Sequence, residues 1–160
     1  MNRKALIVLA LLGAGLYLLA KRTLGNITYS AGSFRVQKIN LSGIELRVGM
    51  TITNRSDISA PISNFIGNLY YQNQNGAMAD LGYLTLVNPV QLPGFGQVEL
   101  EFSLKSGLGG TAFELLNILT NGNPMDISKI DYKNIDTKRF LVVGTLKVGD
   151  LPLDIKTTLV

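Results

Sequence analysis

Histidine, cysteine and tryptophan are absent from all 160 residues of this chain, and each absence removes a class of chemistry. Without histidine or cysteine there is no Ser-His-Asp or Cys-His relay, no imidazole or thiolate zinc site, no cysteine-bound iron–sulfur cluster and no disulfide. Charge is also scarce. Asp, Glu, Lys and Arg together make 16% of the chain, against an ordinary share of about 25%. At 46% hydrophobic content the sequence is too apolar to stay disordered. It has the length of one ordinary domain, which must be held together by packing alone. Asp, Glu, Lys and Tyr remain as the groups able to do chemistry, and no cofactor or metal is implied.

The formal charge of +4 is local. Arg3, Lys4, Lys21 and Arg22 carry it, with no acid in residues 1–24, while the other eleven Lys and Arg match the eleven Asp and Glu. Basic residues of the neutral body are scattered, with only Lys138 and Arg139 adjacent. A nucleic-acid surface needs clustered cations that neutralise several phosphates together, so no nucleic-acid partner is expected.

Between the flanking cations, residues 5–20 form an uncharged run without proline, including Leu9, Leu12, Leu16, Tyr17 and Leu19. As a helix it would be about 24 Å long, near the length of a bilayer core if Lys4, Lys21 and Arg22 snorkel. A single membrane span over residues 1–24 is the expectation, with the lipid bilayer as partner. A cleaved signal peptide fits less well, because Lys21-Arg22 stand where a small-residue cleavage site belongs. A buried globular helix also fits less well, because the run lacks a polar face. Two cations flank each end, so only the terminal amine tips the orientation, placing the N-terminus on the cytoplasmic side or the equivalent side of a viral membrane.

Beyond a linker at 25–32 the apolar period becomes two. Ile44, Leu46, Val48, Met50 and Ile52 share one face while Glu45, Arg47 and Thr51 share the other, the pattern of a half-buried strand. The same alternation runs through Val98–Lys105, Phe140–Val148 and Leu151–Leu159, with weaker strands expected at 33–41, 65–73 and 81–88. Asn75-Gly76 and Gly149-Asp150 are hairpin signals, and Pro93-Gly94 breaks the chain before the Val98 strand. One short helix is expected from Thr111, as N-cap with Glu114 completing a capping box, to a stop at Asn121-Gly122. The fold class is therefore all-β: an immunoglobulin-like antiparallel sandwich of about seven strands over 33–160, with one helix covering an end or open edge.

Four features invite a chemical reading. Glu99 and Glu101 are the only close carboxylate pair at strand spacing, yet no neighbouring ligand set or apolar pocket is evident to divide acid from base roles. A solvated strand face accounts for them. Ser106-Gly107-Leu108-Gly109-Gly110-Thr111 precedes a helix as phosphate cradles do, without the Gly-Lys-Ser/Thr ending. Asn26, Asn40 and Asn54 each begin an Asn-X-Ser/Thr triplet, a loose match in a chain rich in these residues. Tyr70, Tyr71 and Tyr83 are read as core or edge packing rather than a ligand platform.

Taken in order, several pieces resemble the late-embryogenesis-abundant type 2 (LEA-2) family, whose domain is also called WHy. They are Phe34-Arg-Val-Gln-Lys-Ile39; the Ile44–Thr53 strand ending in Thr53-Asn54-Arg55-Ser56-Asp57; Tyr70-Tyr71 before Asn75-Gly76; the Gly82 strand; Leu92-Pro93-Gly94 leading to Val98-Glu-Leu-Glu-Phe102; and Val143-Gly144-Thr145-Leu146 with Leu151-Pro152-Leu153. The family's usual Asn-Pro-Asn turn reads Asn54-Arg55-Ser56 here. The resemblance implies a non-enzymatic domain, often behind an N-terminal anchor, that protects or binds proteins and membranes. It supplies no catalytic residue.

Two functions follow as expectations. One is a membrane-anchored module that binds or stabilises proteins or membranes. The other is a minor structural membrane protein of an assembly such as a membrane-containing phage or virus particle, with a lattice neighbour as partner. An enzyme is a third class, left only to acids, lysine and tyrosine.

Overall fold

The computed structural model describes residues 18, 21, 22, 24–40, 42–107, 109–124, 130 and 135–160. Among the described residues from Ile27 onward, eight antiparallel strands and one short α-helix make the fold: β1 (Ile27–Asn40), β2 (Gly43–Asn54), β3 (Ala60–Gln72), β4 (Met78–Leu86), β5 (Val90–Leu92), β6 (Gln97–Ser106), α1 (Gly110–Leu119), β7 (Phe140–Val148) and β8 (Leu151–Thr158). The strands join in the order β1-β2-β6-β4-β3-β7-β8, with β5 added to β3. Strand β4 links the two halves. Its Tyr83 and Leu84 pair with β3, whereas Thr85 and Leu86 pair with Ser103 and Phe102 of β6.

The sheet curls so that its halves face each other. Phe65 of β3 meets Phe102 of β6 with ring centroids 4.8 Å apart, and Phe34 of β1 meets Phe140 of β7 at 4.7 Å. Neither pair belongs to hydrogen-bonded neighbours, so both are contacts through the core. The period-two residues supply that core: Leu46, Val48, Met50, Ile52, Leu100, Phe102 and Leu104 from one half face Ile62, Leu69, Phe140, Val142 and Leu146 from the other. Burying a side chain of this size contributes about 1.5–3 kcal/mol, which is how a chain without disulfides holds two halves together.

Several expectations are refined. β1 starts at Ile27, six residues before the first expected strand, and β5 is an additional three-residue strand. Helix α1 has Gly109 as N-cap with no side-chain cap, so Thr111 is already inside the helix. At its other end Asn121 and Gly122 take positive φ, and Gly122 N–H returns to Asn117 O at 2.8 Å, a six-residue closure of the expected kind. Leu115 and Leu119 of the helix are buried, and the helix packs against β4.

The single-pass membrane placement requires correction. Among the described residues no helix is long and apolar enough to cross a membrane. Leu18, Lys21, Arg22, Leu24 and Gly25 are helical, Lys21 and Arg22 are exposed, and the chain turns at Asn26 straight into β1. Arg3, Lys4, Leu9, Leu12, Leu16, Tyr17 and Leu19 lie outside the described residues.

Candidate functional site

Among the described residues the most organised polar group is Asn54, at the end of β2. It is 1% exposed and uses all of its hydrogen-bonding capacity. Its Nδ2 donates to Ile58 O at 2.7 Å and to Pro93 O at 3.0 Å. Its Oδ1 accepts from Ser56 N–H at 2.9 Å and from Ser56 Oγ at 2.7 Å. A buried amide left unmatched is costly, whereas a fully matched one fixes its surroundings. Asn54 thereby fastens the 54–58 turn to the loop after β5.

Backbone bonds complete the junction. Asn54 N–H donates to Gly96 O (2.8 Å), Phe95 N–H to Ser56 O (2.7 Å) and Arg55 N–H to Asn26 O (2.9 Å). At Gly94 a Cβ would run into the backbone carbonyl of Asp57, so glycine is what allows the two loops to touch. Asn26, which accepts from Arg55, also donates its Nδ2 to Arg22 O at 2.9 Å.

Phe95 crowns the pole. Its φ is +48°, a left-handed conformation that costs a non-glycine residue about 1–2 kcal/mol, and its side chain is 74% exposed. Ile58, on the facing turn, is 43% exposed. An unfavourable backbone carrying an aromatic ring into solvent, over a rigid buried network, is an arrangement that packing does not explain. Sequence reasoning identified the Pro93-Gly94 break but not Phe95. An aromatic inside Pro-Gly-Phe-Gly was the available signal.

The sequence-level candidates for chemistry lie elsewhere and apart. Glu101 is half exposed on the outer face of β6 and pairs with Arg47 at 3.2 Å, while Arg47 also meets Glu45 at 3.1 Å and Gln37. Glu99 stands two residues along the same solvated face, as the alternation required. Nearby is a surface depression of about 300 Å³, where Lys38 and Lys105 flank Glu45 as cross-strand partners. Among the described residues no three Asp or Glu come together as a metal-ligating group. The buried Asn54 is closed to glycosylation in the folded protein. Tyr71 packs as expected, with Phe140 at 5.0 Å and the Arg139 guanidinium 5.4 Å above its ring. Tyr83 does not, being 76% exposed on β4.

No protein-family model matches the chain, and no curated protein matches it. Among solved structures, the chain is similar to a protein described as late embryogenesis abundant (LEA), at 16% identity and a TM-score of 0.44, over 98% of this chain and 83% of that one. A protein from Archaeoglobus fulgidus is similar at 16% identity and a TM-score of 0.45, over 81% of this chain and 92% of that one. A β-glucosidase from Listeria innocua aligns at 13% identity and a TM-score of 0.32, over 83% of this chain but only 16% of the enzyme. The family resemblance read from the turns and strands has its counterpart here, with a late embryogenesis abundant protein among the solved structures similar to this chain.

Proposed function

We propose that this chain is a non-enzymatic β-domain that binds a protein partner at the pole formed by the 54–58 turn and the 93–96 loop, with Phe95 as the anchoring side chain. The observation that carries the reading is the combination at Phe95 of a left-handed backbone, 74% exposure and the saturated Asn54 network beneath it. Binding energy at protein interfaces concentrates in a few aromatic or arginine anchors, and a side chain already fixed in its bound position loses little entropy on docking. Arg55 and Asp57, both exposed, give the anchor a polar rim of both signs. The non-enzymatic part of the reading is supported by the missing histidine and cysteine and by the solvated strand face that Glu99 and Glu101 share.

The test replaces Phe95 with a photo-crosslinking phenylalanine analogue in the full-length protein in its native host. A discrete adduct of one mass is expected, absent when the analogue is put at Glu99 on the sheet face. Equal adducts from both positions, or none from position 95, would remove the pole as the binding site.

A further inference from the structure

Strand pairing brings together cations that lie far apart along the chain. On the outer face of β1, β2 and β6, one row across the strands reads Lys38, Glu45, Lys105, and the next reads Arg35, Arg47, Ser103. These two rows hold four cations and one acid, in a body whose eleven Lys and Arg equal its eleven Asp and Glu. Arg47 is already engaged, with Glu45 at 3.1 Å, with Glu101 at 3.2 Å and with Gln37. Arg35, Lys38 and Lys105 are exposed and have no hydrogen-bond or ion-pair partner among the described residues. Like charges directly opposite one another, as Arg35 and Arg47 are, oppose strand pairing, so the stability of the sheet does not account for this arrangement. A neutral donor is unmatched here as well. Ser103 is 7% exposed and its hydroxyl has no partner among the described residues, whereas buried polar groups are nearly always bonded.

Lys38 and Lys105 both line the surface depression of about 300 Å³, together with Glu45, Ser106, Gly43 and Gly107. The Ser106 hydroxyl makes only a long 3.4 Å bond, to Gly107 O. A Cβ on Gly107 would meet nothing within 4 Å, so no neighbouring side chain fills that side of the hollow. We infer that the depression binds a phosphate-class oxyanion, held by the Lys38 and Lys105 ammonium groups with Ser106 Oγ as a third donor. An excess of donors is matched by a ligand that only accepts, and an ionised phosphate offers acceptor oxygens and the opposite charge at once. Strands two apart lie about 9–10 Å from each other, so two long lysine side chains reach one such group from opposite sides. Glu45 is the one acid in the depression, and its Oε1 is held by Arg47. The site lies at the start of β2 and the Phe95 pole at its end, so this inference stands apart from the binding reading of that pole.

The test titrates the full-length, isotopically labelled chain with sodium pyrophosphate at constant ionic strength, which removes general screening. Saturable amide shifts are expected at Gly43, Ser106 and Gly107, with a Kd of about 1 mM or tighter. Lys38→Gln with Lys105→Gln should weaken binding at least tenfold and leave the circular dichroism spectrum unchanged, both side chains being in solvent. Lys156→Gln, on β8, should change nothing. Cosedimentation with phosphatidylcholine vesicles carrying phosphatidic acid identifies the source of the phosphate. Binding there that needs the same two lysines, with none to pyrophosphate, keeps the chemistry and assigns it to a lipid headgroup. Binding to neither probe would overturn the inference, as would an affinity that the double variant leaves unaltered or that Lys156→Gln weakens equally.

Discussion

The Tyr29 hydroxyl of β1 accepts a hydrogen bond from the backbone N–H of Lys156 in β8, at 3.3 Å. These strands are the two ends of the curled sheet, so a side chain from one end occupies an edge donor of the other. Leu159 N–H bonds to Phe140 O on β7, so odd-numbered residues of β8 bond inward and even-numbered ones point to the open edge. Pro152 falls on an open-edge position, where lacking an N–H costs no ladder bond. Proline at 152 and tyrosine at 29 together remove two of the donors that an incoming strand would use.

Restoring those donors should make the edge sticky. Tyr29→Phe with Pro152→Val is expected to lose about 0.5–1.5 kcal/mol from the missing hydrogen bond. On mild heating it should form thioflavin-positive aggregates well before the parent protein does. Unchanged aggregation kinetics would mean that the edge is protected by something other than these two residues.

Asn54→Ala removes four hydrogen bonds at once, those to the Ile58 and Pro93 carbonyls and those from the Ser56 amide and hydroxyl, and leaves only the long 3.4 Å bond from Ser56 Oγ to Ile58 O. With an unmatched buried group costing about 1–3 kcal/mol, a loss of several kcal/mol is expected in urea unfolding, with faster hydrogen exchange at the backbone amides of residue 54, Arg55 and Phe95. Arg55→Ala, one residue along and exposed, should change stability by less than about 0.5 kcal/mol. A loss under 1 kcal/mol for Asn54→Ala would deny that it holds the two loops together.

A third prediction concerns Gly67 and Gly144, cross-strand partners on β3 and β7. A Cβ on Gly67 would run into Val143 O and meet Phe65 Cζ at 2.6 Å, and one on Gly144 would meet Ile66 O and Phe65 Cζ at 2.6 Å, so the two missing side chains let the strands approach and leave space for the Phe65 ring on its way to Phe102. Gly67→Ala should destabilise by about 1–3 kcal/mol through overpacking. In a Phe65→Leu background the same change should cost measurably less, a coupling readable from a double-mutant cycle. Additive costs would place the strain in the backbone alone.

How far the sequence reached can be judged from these residues. Strands with one solvated face, such as β2, were legible because burial imposes a period of two. β1 was caught only in its second half, since Thr28, Ser30 and Ser33 are too polar to advertise a strand whose stability comes from pairing with β2. β5 is three residues long, shorter than any period can register. Glu99 and Glu101 were read correctly as a solvated face, but Arg47 as the partner of Glu101 depends on cross-strand register. Asn54 was visible as a turn residue in the family resemblance. Its burial and its reach to Pro93, 39 residues away, are tertiary facts. Ile66 and Tyr83 were hidden because an apolar residue in a strand is assigned to the core unless pairing shows which way it points.

The last prediction separates structure from function at Phe95. If the ring exists to pack, removing it must destabilise the domain; if it exists to be presented, the domain pays for its conformation and gains from its removal. Glycine adopts a positive φ without the clash between Cβ and the carbonyl, and a ring that is 74% exposed has little burial to lose. Phe95→Gly is therefore expected to stabilise the protein or leave it unchanged, with a gain of up to about 1 kcal/mol after the added freedom of the unfolded chain is deducted. For a domain of this size such a gain would raise the thermal midpoint by about 2–4 °C. In the same variant the partner contact should be lost. Urea midpoints for Phe95→Gly and Phe95→Ala decide the matter: alanine keeps the left-handed strain and should lie below glycine. A fall of more than 1 kcal/mol in the glycine variant would make Phe95 a packing residue and withdraw it as the anchor.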